Sequence, residues 1–169
     1  MDKDVLLSQL SANAARLHAL VRDVSDRQAR WRPDPGAWSI LEVVCHLLDE
    51  ERQDFRVRLD YTLHRPGEPW PPIDPAGWVT EREYNQQDLE ASLDAFLSER
   101  EASLAWLREF STPDWEVPYE APWGPISAGD LFASWVAHDL LHMRQLVELH
   151  WHYKEERVKP YNTRYAGDW

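Results

Sequence analysis

Apolar residues recur at steps of three and four along four separate segments of this chain, and proline-containing stretches lie between several of them. A stripe of that period is one face of an amphipathic helix, and it must be buried against something. The first stripe, in residues 4–24, comprises Val5, Leu6, Leu10, Ala14, Leu17, Leu20, Val21 and Val24. The second opens at Ser39 with Glu42 three residues on, a capping box, and Trp38 and Val43 flank it as a hydrophobic staple. It continues through "WSILEVVCHLLDEERQDFRVRLDYTL". The third carries Leu89, Leu93, Phe96, Leu97, Leu104 and Leu107. The fourth starts at Ser127 and Asp130, with Ile126 and Leu131 as its staple pair.

The links differ in length. Ser25 and Gln28 cap one short turn before Pro33 and Pro35 stop any helix. Residues 65–80, "RPGEPWPPIDPAGWVT", hold most of the Pro and Gly punctuation and read as a long irregular connection. "STPDWEVPYEAPWGP" has room for a short extended piece. The fold expected is all-α, a four-helix bundle with one long crossover connection between helices two and three. At 169 residues it is a single domain, 1–169, whose aromatic tail "YNTRYAGDW" is expected to dock on the body.

A formal charge of −12 with no local Lys/Arg cluster removes the electrostatic basis of nucleic-acid affinity. No apolar run reaches the roughly 18 residues of a membrane span, and the N-terminal stretch lacks the pattern of a signal peptide. With Cys45 alone no intrachain disulfide forms, which fits a reducing compartment, so a cytoplasmic location is expected.

On helix four, Leu131, Trp135, His138, His142, Gln145 or Leu146, and Leu149 form one stripe, so both histidines face inward. Positions four apart have Cβ atoms about 6 Å apart. Two imidazoles so placed can converge on one ion, and they can equally be hydrogen-bonded core histidines. A metal needs a third ligand from another helix. His46 is the candidate, because Val43, His46, Glu50 and Val57 share an inward stripe of helix two. His18 is a reserve ligand; His64, His150 and His152 read as surface or helix-end residues. Glu50 is placed to ligate, to orient a ligand or to take a proton. Asp139 supports a neighbouring ring or a helix contact, and the HDxxH pattern is not the HExxH of zinc proteases. Cys45, about 100° around the helix from His46, reads as a small buried apolar residue. Trp70, Trp78, Trp115 and Trp123 either line a pocket mouth or pack loops on the core.

Three segments in order, "WSILEVVCHLLDEE", "GWVTEREYNQQDLEASLDAFLSER" and "AHDLLHMRQL", resemble the DinB/YfiT-like metal-binding four-helix bundles over nearly the whole chain. The second and fourth helices carry that family's W-S-x-x-E-x-x-x-H-L and H-D-x-x-H-x-x-Q patterns. The resemblance implies that His46, His138 and His142 hold a divalent metal, usually zinc or nickel, and that the protein is a homodimer. Characterised members of the family include transferases that use low-molecular-weight thiols, a mycothiol-dependent isomerase and metal-dependent hydrolases. The function expected is metal-dependent activation of a thiol or water nucleophile for transfer to, or hydrolysis of, a small-molecule substrate, with Glu50 as proton acceptor. The alternative is a non-catalytic metal- or small-ligand-binding stress-response protein.

Overall fold

The structure is a computed structural model that describes residues 2–167. Helix α1 spans Lys3–Val21, capped by Asp2, whose side chain accepts from the backbone of Asp4 and Val5. After the single turn α2 (Asp26–Ala29), the second long helix is α3 (Ile40–Glu50). Its capping box closes in both directions: Ser39 Oγ accepts from Glu42 N, and Glu42 Oε2 accepts from Ser39 N. A π-helical turn, Glu51–Phe55, joins α3 to α4 (Arg56–His64) without a break in the rod. Then come α5 (Pro75–Glu81), α6 (Leu89–Arg108), a hairpin of β1 (Pro118–Ala121) and β2 (Gly124–Ser127), and α7 (Ala128–Arg157). Ser127 and Asp130 make the second capping box.

Four rods, α1, α3–α4, α6 and α7, form the bundle. α1 packs on α6 and α7, and α3–α4 packs on the same two, so consecutive rods one and two, and likewise three and four, sit on diagonals. Leu7 clusters with Leu131 and Phe132, and Leu17 and Val21 with Leu146 and Leu149, so α1 and α7 run the same way. Ile40 to Leu47 pack near Leu93 and Phe96, while Arg56 reaches Glu99 and Ser103, so α6 runs parallel to α3–α4.

Residues 65–88 therefore travel back along the second rod. Trp70 Nε1 donates to Thr62 Oγ1 (3.3 Å) near one end, and Trp78 and Tyr84 pack on Leu41 and Cys45 near the other. Part of this stretch, expected to be irregular, is α5, because Asp74 caps Gly77 N (2.9 Å) and Pro75 occupies the first turn, where a missing N–H costs nothing. A Cβ at Gly77 would lie 2.1 Å from Asp74 Oδ2, so a larger residue there displaces the capping carboxylate.

The core is divided. One apolar cluster gathers Leu10, Leu59, Leu104, Leu107, Phe132 and Trp135; another gathers Leu17, Val43, Leu47, Phe96, Leu146 and Leu149. Between them every rod contributes buried polar side chains: Asn13, then His46, Glu50 and Glu51, then Arg100, then Asp139 and His142. A polar layer at that depth is tolerated only where its groups bond one another or a ligand.

The structure corrects several expectations. Helix two is not uniform: the π turn shifts the phase of its inward face, so Leu59 and Thr62 are buried, while Val57 borders a surface groove with Tyr61 and Trp106. The tail's tyrosines do not dock, since Tyr161 is 80% exposed and Tyr165 fully so, and the tail meets α7 through Thr163 Oγ1, which donates to Glu155 Oε1 (3.2 Å); Asp168 and Trp169 lie outside the described residues. His150 is not at a frayed end. Its Nε2–H donates to Leu20 O (2.7 Å) and its Nδ1 accepts from Gln28 (2.9 Å), which ties α7 to α1 and α2. Among the described residues no helix is long and apolar enough to cross a membrane.

Candidate metal centre

The polar layer brings His46 of α3 against His138 and His142 of α7. Ring centroids lie 5.4 Å apart for His46 and His138, 4.7 Å for His46 and His142, and 4.4 Å for His138 and His142. One ring nitrogen from each falls within 4.8 Å of the others. His142 Nδ1 lies 2.8 Å from Gln145 Oε1. An amide oxygen only accepts, so His142 carries its proton on Nδ1 and its Nε2 presents a lone pair. That lone pair faces His138 Nε2 at 3.1 Å.

Burial and the neighbouring His142 push His46 down to about 3. Burial, His142, His46 and Arg100 push His138 down to about 2. Burial lowers His142 as well, against the opposing pull of Gln145 and Asp139. All three rings are neutral at neutral pH, the state in which imidazole ligates a metal.

The residues fit a divalent ion. Two nitrogens bound to one tetrahedral zinc, each about 2.0–2.1 Å from it, sit about 3.3 Å apart. The His138–His142 spacing of 3.1 Å is close to this. Gln145 supplies the outer hydrogen bond that fixes a ligand's tautomer and ring orientation. His46 Nδ1 is buried with no hydrogen-bond partner, and Glu50 Oε1, 3.9 Å from it, is likewise unpartnered. Three neutral ligands would leave the charge of such an ion uncompensated, as in catalytic rather than closed structural sites.

The remaining sequence candidates sort clearly. Glu50 is buried behind His46, and burial, a hydrogen bond with Asp54 and the Asp54 charge push its carboxyl up to about 9. Burial raises Asp54 too, while Arg58 beside it favours the anion, so Glu50 keeps the shared proton. His18, His64 and His152 stand apart from the cluster; His64 pairs with Asp60 (2.9 Å) and His152 with Glu155 (3.6 Å). Cys45 is buried against Ser92 and Tyr84 O, and burial pushes its thiol up to about 11, the profile of an inert thiol. Asp139 contacts a helix rather than a ring, forming a bidentate pair with Arg100 (2.8 and 2.9 Å).

The tryptophans named from sequence are not at the site. Trp78 is core, Trp115 stacks near Phe132, Trp70 stacks on Tyr119, and Trp123 is 67% exposed beside Trp70. Trp38 is the one that flanks it, its ring 4.9 Å from His46, and Phe55 lies 5.0 Å from His138. In the sequence Trp38 reads only as a staple and Phe55 carries no site signal, because the π turn that aims Phe55 inward has no local signature. A cleft of about 470 Å³ opens beside His142, bounded by Trp38, Gln145, Leu149, Glu148 and His152.

The fold is a four-helix bundle with a candidate site of three histidines drawn from two helices, and the chain belongs to the DinB superfamily, whose model matches residues 9–146. Among solved structures it is similar to YfiT from Bacillus subtilis, described as a probable metal-dependent hydrolase with an unusual four-helix bundle topology. The identity is 22% over 87% of this chain and 85% of that one, with a TM-score of 0.77, so this likeness speaks for the fold. No functionally curated protein matches the sequence.

Proposed function

We propose that this protein is a metal-dependent enzyme in which His46, His138 and His142 hold a divalent ion, zinc or nickel, that activates a water or thiol nucleophile against a small molecule. The carrying observation is the convergence of three neutral ring nitrogens, two of them 3.1 Å apart, from separately capped helices. A divalent ion so held supplies Lewis acidity and lowers the pKa of a coordinating water or thiol toward neutrality. The description of YfiT as a probable metal-dependent hydrolase favours the hydrolytic arm.

The chain's own residues have distinct parts in this reading. Gln145 holds the proton on His142 Nδ1 and thereby keeps Nε2 free. Glu50, buried behind His46 with Oε1 3.9 Å from its Nδ1, is assigned the part of orienting that ring or accepting a proton. Trp38 walls the cleft beside His142 with an apolar face. Among the described residues no Lys or Arg borders that cleft, and its Glu148 lies 3.5 Å from Arg144, so a neutral substrate with a flat apolar part suits it better than an anion. We also propose a homodimer, on the family resemblance together with Leu140, Leu141 and Val147, which stand exposed on α7.

Metal-loaded protein assayed against neutral esters and amides, and against thiols paired with electrophiles, tests the proposal. Turnover that chelation abolishes and metal restores is expected. Stoichiometric metal with no turnover on either panel leaves the non-catalytic binding protein as the correct reading. Sedimentation equilibrium showing a monomer at micromolar concentration would contradict the dimer.

A further inference from the structure

Directly beside the histidines, the guanidinium of Arg100 binds all four rods. It donates from Nη1 to Leu10 O of α1 (3.1 Å) and from Nε to Glu51 Oε1 in the π turn (2.9 Å). Through Nη1 and Nη2 it grips Asp139 of α7 (2.8 and 2.9 Å), while standing on α6 itself. Glu51 completes its bonding by accepting from Trp135 Nε1 (3.0 Å). Arg100, Glu51 and Asp139 are each no more than 1% exposed.

Two features set this network apart from ordinary bundle packing. An apolar layer of similar volume is commonly as stable as a buried ion group or more so, so stability alone does not account for it. Its anions are also the immediate chain neighbours of the site: Glu51 follows Glu50, and Asp139 follows His138. Trp135, the fourth member, lies one turn before His138 and stacks on Phe55 (5.8 Å), which touches the His138 ring. A shift of α7 against α3 therefore breaks these bonds and changes the His46-to-His142 spacing together.

We propose that Arg100, acting through Glu51 and Asp139, is a positioning residue that sets the distance and register between the helix carrying His46 and the helix carrying His138 and His142. The inference rests on the metal reading given above. A lysine cannot take its place, since one ammonium has no rigid fork with which to hold two carboxylates and a carbonyl in fixed directions.

The test is cobalt(II) binding to the full-length protein, followed by its visible d–d absorption and by competition with a chelator. The variant Glu51→Gln/Arg100→Met/Asp139→Asn removes the charges together, so no lone ion is left buried. It is expected to melt cooperatively, to bind cobalt 10–100-fold more weakly, the loss typical of outer-shell changes, and to show altered band positions or intensities. A folded variant with affinity within threefold of the parent and an unchanged spectrum overturns the proposal, because a role confined to stability would not alter the site of folded protein. Should the triple variant fail to fold, Asp139→Asn alone decides, with about tenfold weaker binding expected and unchanged binding overturning the claim. A parent protein that takes up no cobalt overturns the metal reading itself, and this inference with it.

Discussion

Two arginines meet buried carboxylates in the middle of this bundle, on elements adjoining the His46 helix, and they are bonded in opposite ways. Around Arg100 both Glu51 oxygens, both Asp139 oxygens and the Leu10 carbonyl are engaged at 2.8–3.1 Å. Around Arg58, Nε lies 2.7 Å from Asp54 Oδ1 but is misaligned for a hydrogen bond, and Glu50 is left partly unmet behind His46. Among the described residues, the buried side-chain atoms that lack a hydrogen-bond partner are His46 Nδ1, Glu50 Oε1, Asp54 Oδ1 and Arg58 Nε, all in this second cluster. A satisfied network fixes geometry, whereas an unsatisfied one costs stability and survives where something else uses it.

The contrast breaks most directly at the arginines. Arg100→Met leaves two buried anions facing each other, and a loss of about 3–5 kcal/mol is expected in urea unfolding of metal-free protein. Arg58→Met should cost about 1 kcal/mol, because Asp54, already shifted upward by burial, then takes up a proton. Equal losses at the two positions would erase the distinction. Trp135→Phe keeps one aromatic ring but removes the pyrrole half of the indole and its bond to a charged oxygen, with an expected cost of about 1.5–3 kcal/mol from the lost bond and more from the cavity, by the same measurement.

The second cluster should respond to pH in a way the first does not. Glu50 titrates at about 9 in the fold against an ordinary 4.5, so its contribution to stability is full below about pH 4.5 and is lost as pH rises toward about 9. The histidines act oppositely: with His46 lowered from 6.5 to about 3, stability is full above about pH 6.5 and falls as pH drops toward 3. Metal-free protein should therefore be most stable between these limits. Glu50→Gln should gain about 1 kcal/mol at pH 8, or roughly 2–4 °C in melting temperature, and nothing at pH 4.5; a loss at pH 8 would show the Glu50 site built for an anion. Arg58→Lys keeps the charge beside Asp54 and is expected within about 0.5 kcal/mol of the parent, the smallest change in the set.

Much of this was legible from periodicity. Each rod starts at a side-chain cap and buries an apolar stripe, and both capping boxes form as the residue spacing predicts. The three histidines were legible for the same reason, since each lies on an inward stripe. Arg100 leaves a trace in the sequence: the third stripe has a gap between Leu97 and Leu104, and Arg100, four residues from both Phe96 and Leu104, fills it. Glu51, Asp54 and Phe55 were hidden, because the π turn re-aims them and only backbone bonding reveals such a turn. The diagonal order of the rods was hidden too, since four amphipathic helices bury their faces equally well in several orders around a bundle.

The central claim, that His46, His138 and His142 form one metal centre, is tested most directly by elemental analysis of protein loaded with zinc or nickel and then dialysed. The account predicts one equivalent of metal per chain in the parent, and loss of that metal in His142→Ala with the fold retained. A parent chain that retains no metal, or a His142→Ala chain that retains a full equivalent, would contradict it.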